Sequence, residues 1–127
     1  MAETILIVDD NATNLKLARI LLTSEGYRVC TAANAEQALE VLSEFVPQLI
    51  LMDIQLPGMD GLELTRRLKS NPTTRDVTIV ALTAYAMKGD EDKVLASGCS
   101  GYISKPIDTR RFGAEVARYL QPSAAKA

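Results

Sequence analysis

The chain has 127 residues, the length of one domain, and can bury roughly 70% of its unfolded surface without disulfide or metal staples. Apolar residues make up 47% and charged residues 24%, the balance of a globular protein and not of a disordered one. A net charge of −2 excludes the clustered basic surface of a nucleic-acid binder, and the lack of any histidine excludes histidine triads, the common zinc sites and a histidine general base.

No segment approaches the ~20 apolar residues of a membrane span, and the start MAETILIVDD lacks a basic region with a cleavage site, so a cytoplasmic protein is expected. Arg66, Arg67 and Lys69 form the densest basic group and read as a solvated helix face. Cys30 and Cys99 have neither C-x-x-C spacing nor metal-ligand companions and read as two reduced thiols in or near the core.

In chain order, apolar runs and amphipathic stretches alternate five times. Ile5 to Val8 is a short continuous apolar run, as a parallel strand buried on both faces requires. A helix is expected over Thr13 to Glu25, stopped by Gly26. Its apolar residues spread over more than half the circumference. A helical wheel centres the arc on Leu17 and Leu21, which should face the sheet, and puts Leu15 and Leu22 at its edge, at least partly exposed next to the acidic rim as a docking patch.

The second strand is Arg28 to Ala32, and Asn34 with Gln37 reads as a capping box for a helix ending before Pro47. The third strand is Leu49 to Asp53, followed by a turn-rich loop from Gln55 to Gly61 and a helix over Leu62 to Ser70. The fourth strand is Val77 to Thr83, with a helix between Gly89 and Ser97 closed by Gly98. The fifth strand is Gly101 to Ser104, and Asp108 reads as the N-cap of a last helix reaching Leu120.

Strands and helices alternating at this spacing require a parallel sheet with helices on both faces. The acidic turn after the first strand would repel a pyrophosphate, which disfavours the dinucleotide-binding order. It favours a flavodoxin-like (βα)5 order of 2-1-3-4-5. Asp9, Asp10, Asp53, Thr83 and Lys105 then all lie where strands end, on the rim where open α/β sheets bind ligands. Crowded carboxylates need a cation, and Mg2+ suits oxygen ligands held beside a phosphate. A carboxylate can attack phosphorus, with the Lys105 ammonium and Thr83 hydroxyl stabilising charge.

The segments LIVDDN, LILMDIQLPGMDGLEL, VALTA and GYISKPI make the chain resemble a response-regulator receiver domain. Within that family MDIQLP, ALTAYAMKGDE and CSGYISKPI resemble the DivK group of stand-alone regulators. The resemblance implies a receiver over residues 1–122 with a short tail at 123–127, acting in a two-component or phosphorelay system.

It implies Asp53 as phosphoacceptor, and Asp10, Asp53, the Gln55 backbone carbonyl and, mostly through water, Asp9 as ligands of Mg2+, with Mn2+ as a substitute. It further implies Lys105 on the phosphoryl group, Thr83 and Tyr102 as the switch pair, and a cis bond before Pro106. The implied partners are a histidine kinase or histidine-phosphotransfer protein and a downstream effector, with no nucleic acid or membrane, the chain itself being a monomer or weak dimer. It would be no enzyme beyond its own phosphorylation and slow dephosphorylation. A phosphorelay shuttle is the alternative within the family. An aspartate-nucleophile phosphohydrolase would place its nucleophile in an Asp-x-Asp pattern on the first strand, and a flavin-binding module would not carry this acidic loop.

Overall fold

The computed structural model describes residues 3–56, 58–83, 88–105 and 107–120. The elements alternate as β1 (Thr4–Val8), α1 (Ala12–Ser24), β2 (Arg28–Ala32), α2 (Ala35–Glu44), β3 (Leu49–Asp53), α3 (Gly61–Lys69), β4 (Thr78–Thr83), α4 (Lys88–Ala96), β5 (Gly101–Ser104) and α5 (Phe112–Leu120). The five strands form one sheet in the order β2-β1-β3-β4-β5, every pairing parallel. The flavodoxin-like order expected from the acidic first loop is the one observed.

Strand periodicity divides the core in two. Leu6, Val8, Ile50, Met52, Ile79 and Ala81 point to one face, where Ala38, Leu42, Leu64, Leu68 and Val94 of α2, α3 and α4 cover them. Ile5, Ile7, Leu49, Leu51, Val80 and Leu82 point to the other, under Ala18 and Leu22 of α1 and Phe112 and Val116 of α5. The central strand β3 is buried at all five positions, Asp53 included. A rim carboxylate on this strand is therefore mounted on the most enclosed part of the sheet.

Gly26 and Gly98 follow α1 and α4 with φ of +94° and +112°, the left-handed conformation that ends a helix at a residue without Cβ. Asn34 caps α2 by accepting the Gln37 N–H at 2.8 Å, but the Gln37 side chain accepts from Ala33 N–H at 2.8 Å and not from Asn34, so the capping box is shifted by one residue. Asp108 accepts the Arg110 N–H at 2.9 Å in a turn that precedes α5, which begins only at Phe112.

Two expectations are corrected. Leu22 is fully buried and Ala18 with it, whereas Leu17 is only half-buried and Ile20 is 56% exposed. The wheel weighted Ile20 as a core residue. With Ile20 turned outward, the inner face rotates toward Ala18 and Leu22, with Leu15 and Leu21 packed at its margins. Lys69 is not part of a solvated face: its ammonium donates to the carbonyls of Arg75 at 3.0 Å and Val77 at 2.6 Å, strapping α3 to the segment that leads into β4. The stem of a lysine can lie along apolar surface while its head finds polar partners. Both cysteines are free thiols, Cys99 buried and Cys30 half-buried.

The bond before Pro106, the first part of the loop after Thr83 (84–87) and the tail at 123–127 lie outside the described residues. Among the described residues no helix is long and apolar enough to cross a membrane.

Candidate functional site: an acidic rim with one lysine

All the rim residues sit at or just past strand ends. Asp53 is the last residue of β3 and Thr83 the last of β4, while Asp9 and Lys105 directly follow β1 and β5. Because β1 and β3 are neighbours, the loop carrying Asp9 and Asp10 lies beside Asp53. Carboxylate oxygens of the three aspartates lie within 4.8 Å of one another. Lys105 reaches them from β5: its Nζ stands 2.9 Å from Asp9 Oδ2 and 3.2 Å from Asp53 Oδ2. Its own N–H donates to the Thr83 carbonyl at 2.8 Å, so the loop that leads off with Lys105 stays tied to the end of β4.

Local turns orient the carboxylates. Asp9 Oδ1 accepts the Asn11 N–H at 2.9 Å and Asp53 Oδ1 accepts the Gln55 N–H at 3.0 Å, each two residues on, as aspartates do where a strand enters a loop. Asn11 then caps α1 through Asn14 N–H at 3.0 Å, and Asp60 caps α3 through Glu63 N–H at 2.8 Å. These two caps were missed in the sequence, although a polar capping residue immediately before an amphipathic stretch is the signal for one.

The electrostatics are strained toward a cation. Asp9 is fully buried and Asp53 is 4% exposed. Burial pushes the Asp53 carboxyl above the ordinary carboxylate range and the charge of Asp9 adds to this, while the Gln55 N–H and Lys105 oppose it. For Lys105 burial acts to lower the pKa, but the two carboxylates outweigh it and the net direction is upward. Among the described residues three carboxylates face one ammonium, and buried Asp9 Oδ2 has Lys105 Nζ, at 2.9 Å, as its polar neighbour. An all-oxygen cluster whose negative charge exceeds that of the single ammonium facing it fits a hard divalent cation.

Asp10 is exposed beside the pair, and Gln55 is exposed two residues past β3. Thr83 is 2% exposed, and Tyr102, on β5 opposite Ala81, is half-buried against the face covered by α2, α3 and α4. The structure thus brings together Asp9, Asp10, Asp53 and Lys105, with Thr83 at the adjacent strand end. Leu15 and Leu22 lie on α1, and of the two only Leu15 reaches the surface.

A parallel sheet of this order carrying an acidic cluster and a lysine on its C-terminal rim is the receiver architecture. The chain belongs to the response regulator receiver domain family, whose profile matches residues 5–117. It is 45% identical over 120 residues to the polar-differentiation response regulator DivK of Brucella anthropi, covering 94% of this chain and 98% of the relative. It is 44% identical to DivK of Brucella ovis over the same shares. Among solved structures, a CheY-like response regulator receiver domain protein from Methanospirillum hungatei superposes with a TM-score of 0.88 at 29% identity, all of both chains being covered. Chemotaxis response regulator CheY4 of Vibrio cholerae superposes at 0.89 over 94% of this chain and 99% of its own, with 24% identity, a likeness of fold.

Proposed function

We propose that the protein is a phosphorylation-operated switch in which Asp53 accepts a phosphoryl group from a phosphohistidine of a partner kinase or phosphotransfer protein. The observation that carries this reading is the convergence of Asp9 Oδ2 and Asp53 Oδ2 on the Lys105 ammonium, with Asp10 in the same cluster.

An Asp53 carboxylate oxygen attacks phosphorus, and the phosphorus–nitrogen bond to the partner's imidazole breaks with its electron pair returning to nitrogen. The chain supplies no histidine, so the donor must be another protein or a small phosphodonor. Asp10, Asp53 and the Gln55 carbonyl, with Asp9 through water, would hold Mg2+, for which Mn2+ is the fitting substitute. The cation supplies charge neutralisation where carboxylates would otherwise repel the incoming phosphate. The Gln55 N–H bond to Asp53 would orient the nucleophile, Lys105 would neutralise phosphoryl oxygens, and burial of Asp9 and Asp53 would keep the local dielectric low.

Thr83, one strand over, is the hydroxyl that would bond the phosphoryl group and draw the following loop inward, with Tyr102 turning in response. The surface of α4, β5 and α5 would then carry the signal to an effector. On α1, Leu15 and the exposed Ile20 flank a groove of about 630 Å3 that also includes Lys16 and Arg19, and it is the surface on which a partner's histidine-bearing helices would dock. The receiver would extend over residues 1–122 and work in the cytoplasm as a monomer or weak dimer.

Acetyl phosphate with Mg2+ tests the core of the reading: intact mass should rise by one phosphoryl group in the wild type and not in Asp53→Asn, and a chelator should suppress the reaction. Equal labelling of the Asp53→Asn variant would overturn it.

A further inference from the structure

The peptide that joins Asp53 to Ile54 makes a long hydrogen bond to the sheet, the Ile54 N–H reaching the Leu82 carbonyl at 3.4 Å. It also lies against the first turn of α3. The next peptide along is tied to the same turn, Gly61 N–H donating to the Ile54 carbonyl at 3.1 Å. A Cβ on Gly61 would overlap the Asp53 carbonyl oxygen and lie 2.8 Å from Ile54 Cα and 2.9 Å from the Asp53 carbonyl carbon. All of these are backbone atoms of the strand end, so no side chain can swing aside to make room.

The requirement at this position is space and not dihedral freedom, because the glycines with positive φ are Gly26, Gly58 and Gly98. Gly61 is itself fixed from behind. Its carbonyl accepts the hydroxyl of fully buried Thr65 at 2.8 Å, and Asp60 caps the same turn.

We propose that Gly61 is a positioning residue for Asp53. Its bare Cα lets the first turn of α3 press against the last peptide of β3, and that contact sets where the Asp53 carboxylate stands relative to Asp9 and Lys105. The inference rests on the reading of Asp53 as phosphoacceptor. An added Cβ displaces the peptide, and the carboxylate moves with it away from the 3.2 Å contact with Lys105 and out of register with the acidic pair. Phosphoryl transfer depends mainly on placement of charge and nucleophile, so the displacement is read directly in the rate.

The test compares full-length wild type with Gly61→Ala, Thr65→Val and Gly26→Ala, measuring maximal rate and half-saturating acetyl phosphate, the Mg2+ dissociation constant by NMR titration, and folding by circular dichroism. Gly61→Ala should lose on the order of 10- to 100-fold in maximal rate and bind Mg2+ more weakly. Thr65→Val, which unpins the turn without adding bulk near Asp53, should shift both constants less and in the same direction. Gly26→Ala strains a backbone at φ +94° with open space around it and lies at the far end of α1, so it should lose stability and keep wild-type constants. A folded Gly61→Ala with wild-type rate and Mg2+ affinity would overturn the proposal; if that variant does not fold, an unaltered Thr65→Val does so in its place. Wild type that gains no phosphoryl group on Asp53 would instead sink the functional reading on which the proposal stands.

Discussion

The Lys105 ammonium is nearer to Asp9 than to Asp53, at 2.9 Å against 3.2 Å, and Asp9 is the carboxylate with no exposure to solvent. Lys105 is thus a counter-ion before it is anything else. Lys105→Met leaves Asp9 buried and uncompensated, which costs about 3 kcal/mol when a buried pair loses one member. Urea unfolding without Mg2+ should register that loss, and Mg2+ should recover most of it. An equal loss in both conditions would mean that the cation does not share the site with Lys105.

Asp53 gives the opposite sign. Burial, assisted by Asp9, raises its folded-state pKa above the unfolded value. The stabilisation that goes with its protonated form is present at low pH and is lost as pH rises through the folded pKa. At neutral pH the ionised carboxylate is therefore a burden on the metal-free protein. Asp53→Asn should raise the metal-free thermal midpoint by a few degrees, for about 1 kcal/mol, with the gap closing below the ordinary carboxylate range. Mg2+ should raise the midpoint of the wild type and barely move that of the variant. Scanning calorimetry at neutral and acid pH, with and without Mg2+, checks both statements.

Thr83→Ala should still accept a phosphoryl group on Asp53 but respond weakly, because a bound group shifts a two-state element only through contacts that differ between the states. Phosphorylation-induced amide shifts around Tyr102 should be large in the wild type and at least halved in the variant. Equal shifts would remove Thr83 from the switch.

On α1 the two leucines first grouped together should separate. Leu22→Ala removes a fully buried side chain and should cost about 2–5 kcal/mol in urea unfolding. Leu15→Ser with Ile20→Ser changes half-buried and exposed positions, should leave a folded protein, and should slow phosphorylation by a phosphohistidine partner but not by acetyl phosphate. Parallel slowing with both donors would deny α1 a docking role.

The thiols should differ in reactivity. Cys99 is buried, and its burial raises the thiol pKa, with Ser97 and Thr65 opposing, so little thiolate forms at neutral pH. Maleimide should label half-buried Cys30 first and reach Cys99 only on unfolding or at strongly alkaline pH. Labelling of Cys99 at the rate of Cys30 in the native protein would contradict the packing at the end of α4.

Much of this protein was legible in its residues one after another. Short apolar runs such as Ile5 to Val8 and Leu49 to Asp53 identify buried parallel strands because no half-exposed strand tolerates continuous hydrophobicity, and the polar residue closing each run falls on the rim. The acidic first turn and the order of strands then imply that Asp9, Asp10 and Asp53 meet, as they do. Three features came from tertiary contact alone. The orientation of α1 depends on which neighbours cover it, and a wheel that weights Ile20 like Leu22 cannot supply that. The strap from Lys69 to Val77 joins residues whose partners are backbone carbonyls, which are identical in every sequence. The role of Gly61 is a matter of free space beside Asp53, and space left by a missing side chain becomes visible only when the strand end and the helix are seated against each other.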